Sequence, residues 1–549
     1  MSDADRARTL ADRYWDRLLE EEPLFATQVG DERFDDRLPD PSVEGLERRA
    51  DFQRSSLAEL RGIDRSQLDT TFRTTLDILE ACASRDLAAI EQRIDRLQAM
   101  SHLWGPGQLV VELGTMQRVD TPERLERYLA RLRGVPAFLS AVAEVAADGV
   151  RAGVTSPRVV AERALAQVDR LLALPLEQSP ATFPVKDDAA ARERVIDAVR
   201  EHVNPAYERY RAAIADYLPH ATETIGLSEL PGGEAMYAAQ ILSWTTLPLK
   251  AREVHELGVE TLERLQEERL EVARRLGHAT PREAVEAASA NGGNTASSRE
   301  ELVRLAQAQV DRSWELAPSY FGTLPSSNCE VRAAEEFREA DMPFAWYQPP
   351  SEDGSRSGIY YVNAYDLPNR PLHHLAATTY HEANPGHHFQ ITLEQEMSDR
   401  PPLRRFGGIL AGSASVEGWG LYSERLADEM GLYEDELERL GMLEGQAHRS
   451  ARLVVDTGIH ALGWSRERSI ETLESAGVPT TDAQIETDRY ITLPGQALSY
   501  KIGQLEIERW RREAQERLRD GFSLKDFHDR LLALGSLPLA PLERELASG

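Results

Sequence analysis

The stretch YHEANPGHHFQ, Tyr380 to Gln390, opens as a zinc-peptidase helix does, with His381 and Glu382 adjacent, and then departs from that pattern. In a His-Glu-x-x-His helix both imidazoles lie on one face, and the Glu is placed to take a proton from water. Here the fourth residue after His381 is Pro385. On an ideal helix His387 lies about 9 Å along the axis from His381 and faces the other way, while His388 faces correctly about 10.5 Å off. Ligand bonds to zinc are only about 2 Å long, so a regular helix brings neither to an ion held by His381. A chelate therefore requires a deformed helix. Pro385 supplies one, because it has no N–H for the His381 carbonyl and its ring clashes there. Gly386 tolerates the torsions that follow. A two-residue Pro-Gly bulge predicts His387 in the place that position i+4 normally holds. The competing reading is a helix end carrying surface histidines. The other His-Glu pair, His255-Glu256 in EVHELGVE, has Val259 in the fourth position and reads as a helix surface pair.

A third ligand candidate lies downstream. In SASVEGWGLYSERLADEM, Ser413 to Met430, Glu417 and Glu424 are seven residues apart on one helical face. Zinc sites of two His and one Glu draw the Glu from a second helix, and Glu417 follows at a compatible distance. Its neighbours Gly418, Trp419 and Gly420 suggest a packed setting, where a carboxylate needs a partner.

The chain has 549 residues, 41% hydrophobic and 28% charged, which predicts two or more lobes of ordinary globular composition. No apolar run of about 18 residues is present, so no membrane span is expected. The charged amphipathic start, MSDADRARTLADRYWDRLLEEEP, lacks the apolar core of a signal peptide, and a cytoplasmic protein is expected. A net charge of −29 argues against nucleic acid as a partner. Cys82 and Cys329 form no metal-binding pair and are expected as free core thiols. Only four lysines occur, Lys186, Lys250, Lys501 and Lys525.

Helical periodicity dominates over 121–148, with a break at Gly134-Val135-Pro136, and over 156–174, 190–216, 250–276, 298–316 and 504–519. Thr121-Pro122-Glu123 reads as a helix cap with Pro in the first turn; Thr280-Pro281-Arg282-Glu283 repeats it, with Glu283 placed to close a capping box. The clearest strand is Gly358–Asn363, β-branched and aromatic after a polar loop. A turn in LSELPGGEAMY sets a boundary near residue 225, dividing an N-terminal helical lobe, 1–225, from a catalytic helical lobe, 226–549. The fold class is mainly α, with a small sheet beside the His381 helix.

The blocks HEANPGHHFQ, 381–390, and EGWGLYSE, 417–424, resemble the family catalogued as domain of unknown function 885. So do LPGGEAMYAAQI at 230–241, EVHELG at 253–258, SGIYYVNAYDLPNRP at 357–371, VVDTGIHALGW at 454–464 and RYITLPGQALSYKIGQLE at 489–506. The resemblance implies a large multi-helix fold with a deep channel, similar to gluzincin zinc metallopeptidases. It further implies His381 and His387 as imidazole ligands of Zn²⁺, Glu417 as the carboxylate ligand and Glu382 as general base. His388 is then a supporting group or a substrate contact.

The expected reaction is metal-assisted hydrolysis of peptide bonds, with short peptides as substrates if the channel is deep. The oxyanion needs a donor, and Arg489, Tyr490, Tyr500, Lys501 and His460 are the candidates. The strand 358–363 is expected to pair with an extended peptide, placing Tyr360, Tyr361 and Asn363 along the cleft. The alternatives are a zinc amidase acting on another amide, and a non-catalytic helical binding protein in which Glu417 pairs with an arginine. A monomer or homodimer is expected.

Overall fold

The structure, a computed structural model, describes residues 2–290, 293–334, 339, 344–350 and 356–548. It is mainly helical, with one three-stranded sheet. The helix Pro122–Ala152 starts as its sequence dictates: Thr121 Oγ1 accepts from the Arg124 N–H, and Pro122 occupies the first turn. The predicted break at 134–136 does not occur. Leu132, Val135 and Leu139 are buried in one core on both sides of Pro136, and that packing outweighs one lost backbone hydrogen bond. The 190–216 prediction holds as one continuous helical run, in which a π-helical turn at Val199–Val203 joins Ala189–Ala198 to Asn204–Tyr217. Thr280 caps Pro281–Ser289 as expected, but the Glu283 carboxylate accepts from Ala279 N–H, one residue before the cap. The 504–519 prediction is part of a longer helix beginning at Leu498.

The expected boundary near residue 225 lies between Ala221 of one core and Leu227 of another. Buried residues from Ala99 to Ala221 form their own core around Tyr128, Tyr207 and Tyr210. Residues 7–94, however, share the large core that runs from Leu227 to Leu546, so the chain enters that body, leaves it and returns. Arg131 joins the two. Fully buried, it donates to the backbone carbonyls of Pro23, Phe34 and Arg37, which fixes the N-terminal segment against the Pro122–Ala152 helix.

The sheet comprises β1 (Glu330–Ala333), β2 (Ala345–Gln348) and β3 (Ile359–Val362) in the order β1-β3-β2. β3 is the predicted strand. It runs parallel to β1 and antiparallel to β2, and its four residues are buried. Against the sheet and its neighbouring helix Arg299–Leu316 pack α1 (Leu375–Glu382) and α2 (His387–Glu396). The remaining elements of the site are α3 (Ser413–Glu429), α4 (Glu436–Leu462) and α5 (Leu498–Leu518). α3 and α5 cross in backbone contact: a Cβ on Gly503 would fall 1.8 Å from the Ala414 carbonyl oxygen. Cys82 and Cys329 are buried and unpaired. Among the described residues, no helix is long and apolar enough to cross a membrane.

Candidate metal centre

The deformation at Pro385 is larger than a bulge. α1 ends at Glu382, Ala383–Gly386 form an irregular link with a cis Asn384–Pro385 bond, and His387 begins α2. The link is tied down by side chains from elsewhere. Trp419 Nε1–H donates to the Pro385 carbonyl at 2.9 Å, and Asn384 Nδ2 donates to Asn328 Oδ1 at 2.7 Å. Gly386 is required by close approach, since a Cβ there would lie 1.9 Å from the His381 carbonyl oxygen. The result places the His381 and His387 rings edge to face, with centroids 4.7 Å apart.

α3 brings the carboxylate. Glu417 Oε2 lies 3.5 Å from His381 Nε2 and 3.6 Å from His387 Nε2, and the three ligand atoms fall within 4.8 Å of one another. Among the described residues Glu417 pairs with these imidazoles and with no arginine, which removes the expected basis for the binding-protein alternative. The Glu417 side chain is 24% exposed, so the cluster reaches solvent on that side. Behind His381, Glu424 Oε1 accepts from Nδ1–H at 2.9 Å, which turns Nε2 toward Glu417. The sequence analysis noted Glu424 only as sharing a helical face with Glu417. Its spacing of seven from Glu417 was the available sign that both share the site-facing side of α3.

Electrostatics fit a cation between these atoms. Burial opposes a charged His381, but Glu417 and Glu424 prevail and push its pKa up to about 10. Burial likewise opposes ionisation of Glu417, yet the two imidazoles hold its carboxyl well below the usual carboxylate range. Among the described residues His387 has no other polar partner, and its buried Nδ1 is unbonded. Two imidazoles and one carboxylate match the donor set of a zinc site that keeps an open position. Gly420 leaves the room, because a Cβ there would lie 2.8 Å from His381 Cε1 and Nε2 and 3.0 Å from His387 Cε1. Gly420→Ala is expected to rotate both rings and weaken zinc binding by on the order of 10–100-fold while the protein stays folded; chelator competition measures this, and wild-type affinity would refute the role.

His388 is not available to a metal or a substrate. It is fully buried; its Nε2–H donates to the Ser327 carbonyl at 2.9 Å, and its Nδ1 accepts from Tyr347 O–H at 3.0 Å. Burial pushes its pKa down to about 4, so it stays neutral and ties α2 to the sheet. The ring that converges with His381 is His387. Glu382 is half-buried at the end of α1, and its charge bears on His381 and on the Tyr360 phenol and Cys329 thiol of the sheet layer, both raised chiefly by burial.

The peptide-pairing expectation for 358–363 fails, because β3 is central and paired on both edges. Tyr360 and Asn363 are fully buried, Asn363 bonding the Glu339 carbonyl and the Tyr365 N–H, and Tyr361 stacks on Trp346. None of the three lines a cleft. Of the oxyanion-donor candidates, Lys501 is buried behind Glu424, where burial pushes its pKa down to about 7. His460 bonds the Tyr490 carbonyl, and Tyr490 donates to Glu486. Arg489 is engaged with Glu486 and Gln496, and it also donates to the Tyr500 hydroxyl at 3.3 Å. Tyr500 is half-buried one turn before Gly503, on the helix that touches α3, and it remains the candidate whose O–H bonds no other described group.

Sequence reading missed a second group. His373, His374 and Glu444 also bring ligand atoms within 4.8 Å. Asn294 Oδ1 accepts from the His373 backbone N–H, so Asn294 Nδ2 donates to His373 Nδ1, and Nε2–H of that ring donates to Glu444 at 3.0 Å. His373 therefore turns a proton, not a lone pair, toward Glu444; this pairing fastens the turn before α1 to α4.

The fold and site together define a mainly helical protein with a buried two-histidine, one-glutamate cluster. Residues 23–546 match the model of the family described as "Bacterial protein of unknown function (DUF885)", and the chain belongs to that family. It is similar over its whole length to a solved structure described as "the putative lipoprotein from Colwellia psychrerythraea", with 27% identity, a TM-score of 0.91 and 99% of that chain covered. A second, "a putative lipoprotein of unknown function from Shewanella oneidensis", shares the fold at 19% identity and a TM-score of 0.78, with 98% of this chain and 99% of that one covered. No curated protein matches the sequence.

Proposed function

We propose that the protein is a zinc-dependent metallopeptidase that hydrolyses amide bonds of peptides. The observation that carries this reading is the convergence of His381 Nε2, His387 Nε2 and Glu417 Oε2, with Glu424 holding His381 in the tautomer that presents Nε2. His381, His387 and Glu417 would hold the ion. When bound, zinc supplies Lewis acidity toward a carbonyl oxygen and acidifies water. Glu382 takes the proton from the attacking water and passes it to the departing amine, so that water and an amide give a carboxylic acid and an amine. We assign the oxyanion-donor role to Tyr500, whose hydroxyl accepts from Arg489.

The test uses purified full-length protein. Elemental analysis should find close to one zinc per chain, and a mixed-sequence peptide library should yield products that chelation abolishes. A protein that neither retains nor binds a transition metal would overturn the proposal. Metal binding without peptide cleavage would move the reading to another amide.

A further inference from the structure

Behind the metal cluster runs an unbroken chain of buried side chains that the reaction itself does not use. His381 Nδ1–H donates to Glu424 Oε1 at 2.9 Å. Glu424 Oε2 accepts from Gln446 Nε2 at 3.0 Å, and the same Nε2 donates to the Leu421 carbonyl at 3.1 Å. Gln446 Oε1 accepts from Lys501 Nζ at 2.9 Å. Lys501 also donates to Gln504 Oε1 at 2.8 Å, and Gln504 Nε2 donates to Glu508 Oε1 at 3.0 Å. All but Glu508 are buried, and Lys501 is only 3% exposed.

Each link constrains the next. Lys501 Nζ donates to both Gln446 and Gln504, so the Gln446 atom that faces it is the carbonyl oxygen. The amide then turns its NH₂ to the other side, where Glu424 and the Leu421 carbonyl both accept. Glu424 receives that bond with one oxygen and keeps the other as an acceptor for His381 Nδ1–H. One of only four lysines in the chain thus stands where a donor is needed.

We propose that Lys501 is a positioning residue: acting through Gln446 and Glu424, it holds the His381 ring in the orientation whose Nε2 faces Glu417 and the metal position. This rests on the metal reading of the His381, His387 and Glu417 cluster. Without Lys501 the Gln446 carbonyl is left buried without a donor, and the amide is free to turn away from Glu424. The role differs from that of an oxyanion donor, since Lys501 lies on the Nδ1 side of His381 and contacts no reacting atom.

The experiment is a double-mutant cycle read by zinc affinity, with zinc alone as the probe and chelator competition as the assay. Lys501→Met and Gln446→Leu are each expected to weaken zinc binding on the order of 10-fold. The double variant is expected to bind no more weakly than Gln446→Leu alone, because both cut the same chain. Wild-type affinity in Lys501→Met, or effects that multiply in the double variant, would overturn the proposal. A merely structural lysine would lower the thermal midpoint of the metal-free protein and leave zinc affinity unchanged. Should Lys501→Met not fold, Gln446→Leu carries the test, and wild-type affinity there overturns the proposal. A wild-type protein that binds no zinc defeats the metal reading itself, which is a different result from tight wild-type binding that Lys501→Met leaves intact.

Discussion

Glu382→Gln is expected to retain zinc at wild-type affinity and to lose hydrolysis by about 10²–10⁴-fold. The substitution keeps the volume and the planar end group but removes the ability to take a proton. Glu382 lies next to His381 at the end of α1 yet is not one of the three groups whose ligand atoms converge, so the metal should be indifferent to the change. The measurement is kcat/KM on a peptide identified in the library screen, beside metal content by elemental analysis. Equal loss of zinc and activity would make Glu382 a structural or ligating residue, and unchanged turnover would remove it from the reaction.

The adjacent histidines should separate just as sharply. His387→Ala is expected to weaken zinc binding by more than about 100-fold, since changes in the outer layer alone cost about 10–100-fold. His388→Ala removes a buried ring whose two nitrogens bond Ser327 and Tyr347, leaving a cavity and the Ser327 carbonyl without that donor, while Tyr347 keeps Thr392. It is expected to cost about 2–4 kcal/mol of stability while zinc affinity changes by less than about 10-fold. Thermal melts of the metal-free proteins and chelator competition measure the two effects. Loss of zinc in His388→Ala with retention in His387→Ala would reverse the assignment. The expectation has a simple basis: His387 turns Nε2 toward Glu417, whereas both nitrogens of His388 are bonded elsewhere.

Much of the site was legible because its chemistry is local. His381 with Glu382, the Pro385-Gly386 break, and Glu417 among small and aromatic neighbours are all visible as residue types at short spacing. The helical periods, the cap at Thr121 and the strand at 359–362 follow from the same local rules. Those rules failed where packing outweighed them. Pro136 was read as a break, but buried residues on both sides carry the helix through it. The boundary near 225 followed a turn signal, whereas the cores assign residues 7–94 to the later body, a pairing that no local pattern encodes.

The amino-acid sequence by itself determined the helical class, the family and the set of chemical groups at the site, because each depends on residue identity and short-range order. Which of those groups touch was decided only in three dimensions. Lys501, Tyr360 and Asn363 have the right chemistry to meet a substrate, but sheet order and helix crossing bury them. The choice between His387 and His388 turned on contacts with Ser327 and Tyr347, some 60 and 40 residues upstream, which satisfy one ring and leave the other for the cluster. A hydrogen bond saturates its donor, so a histidine's role depends on the partners that the fold brings to it.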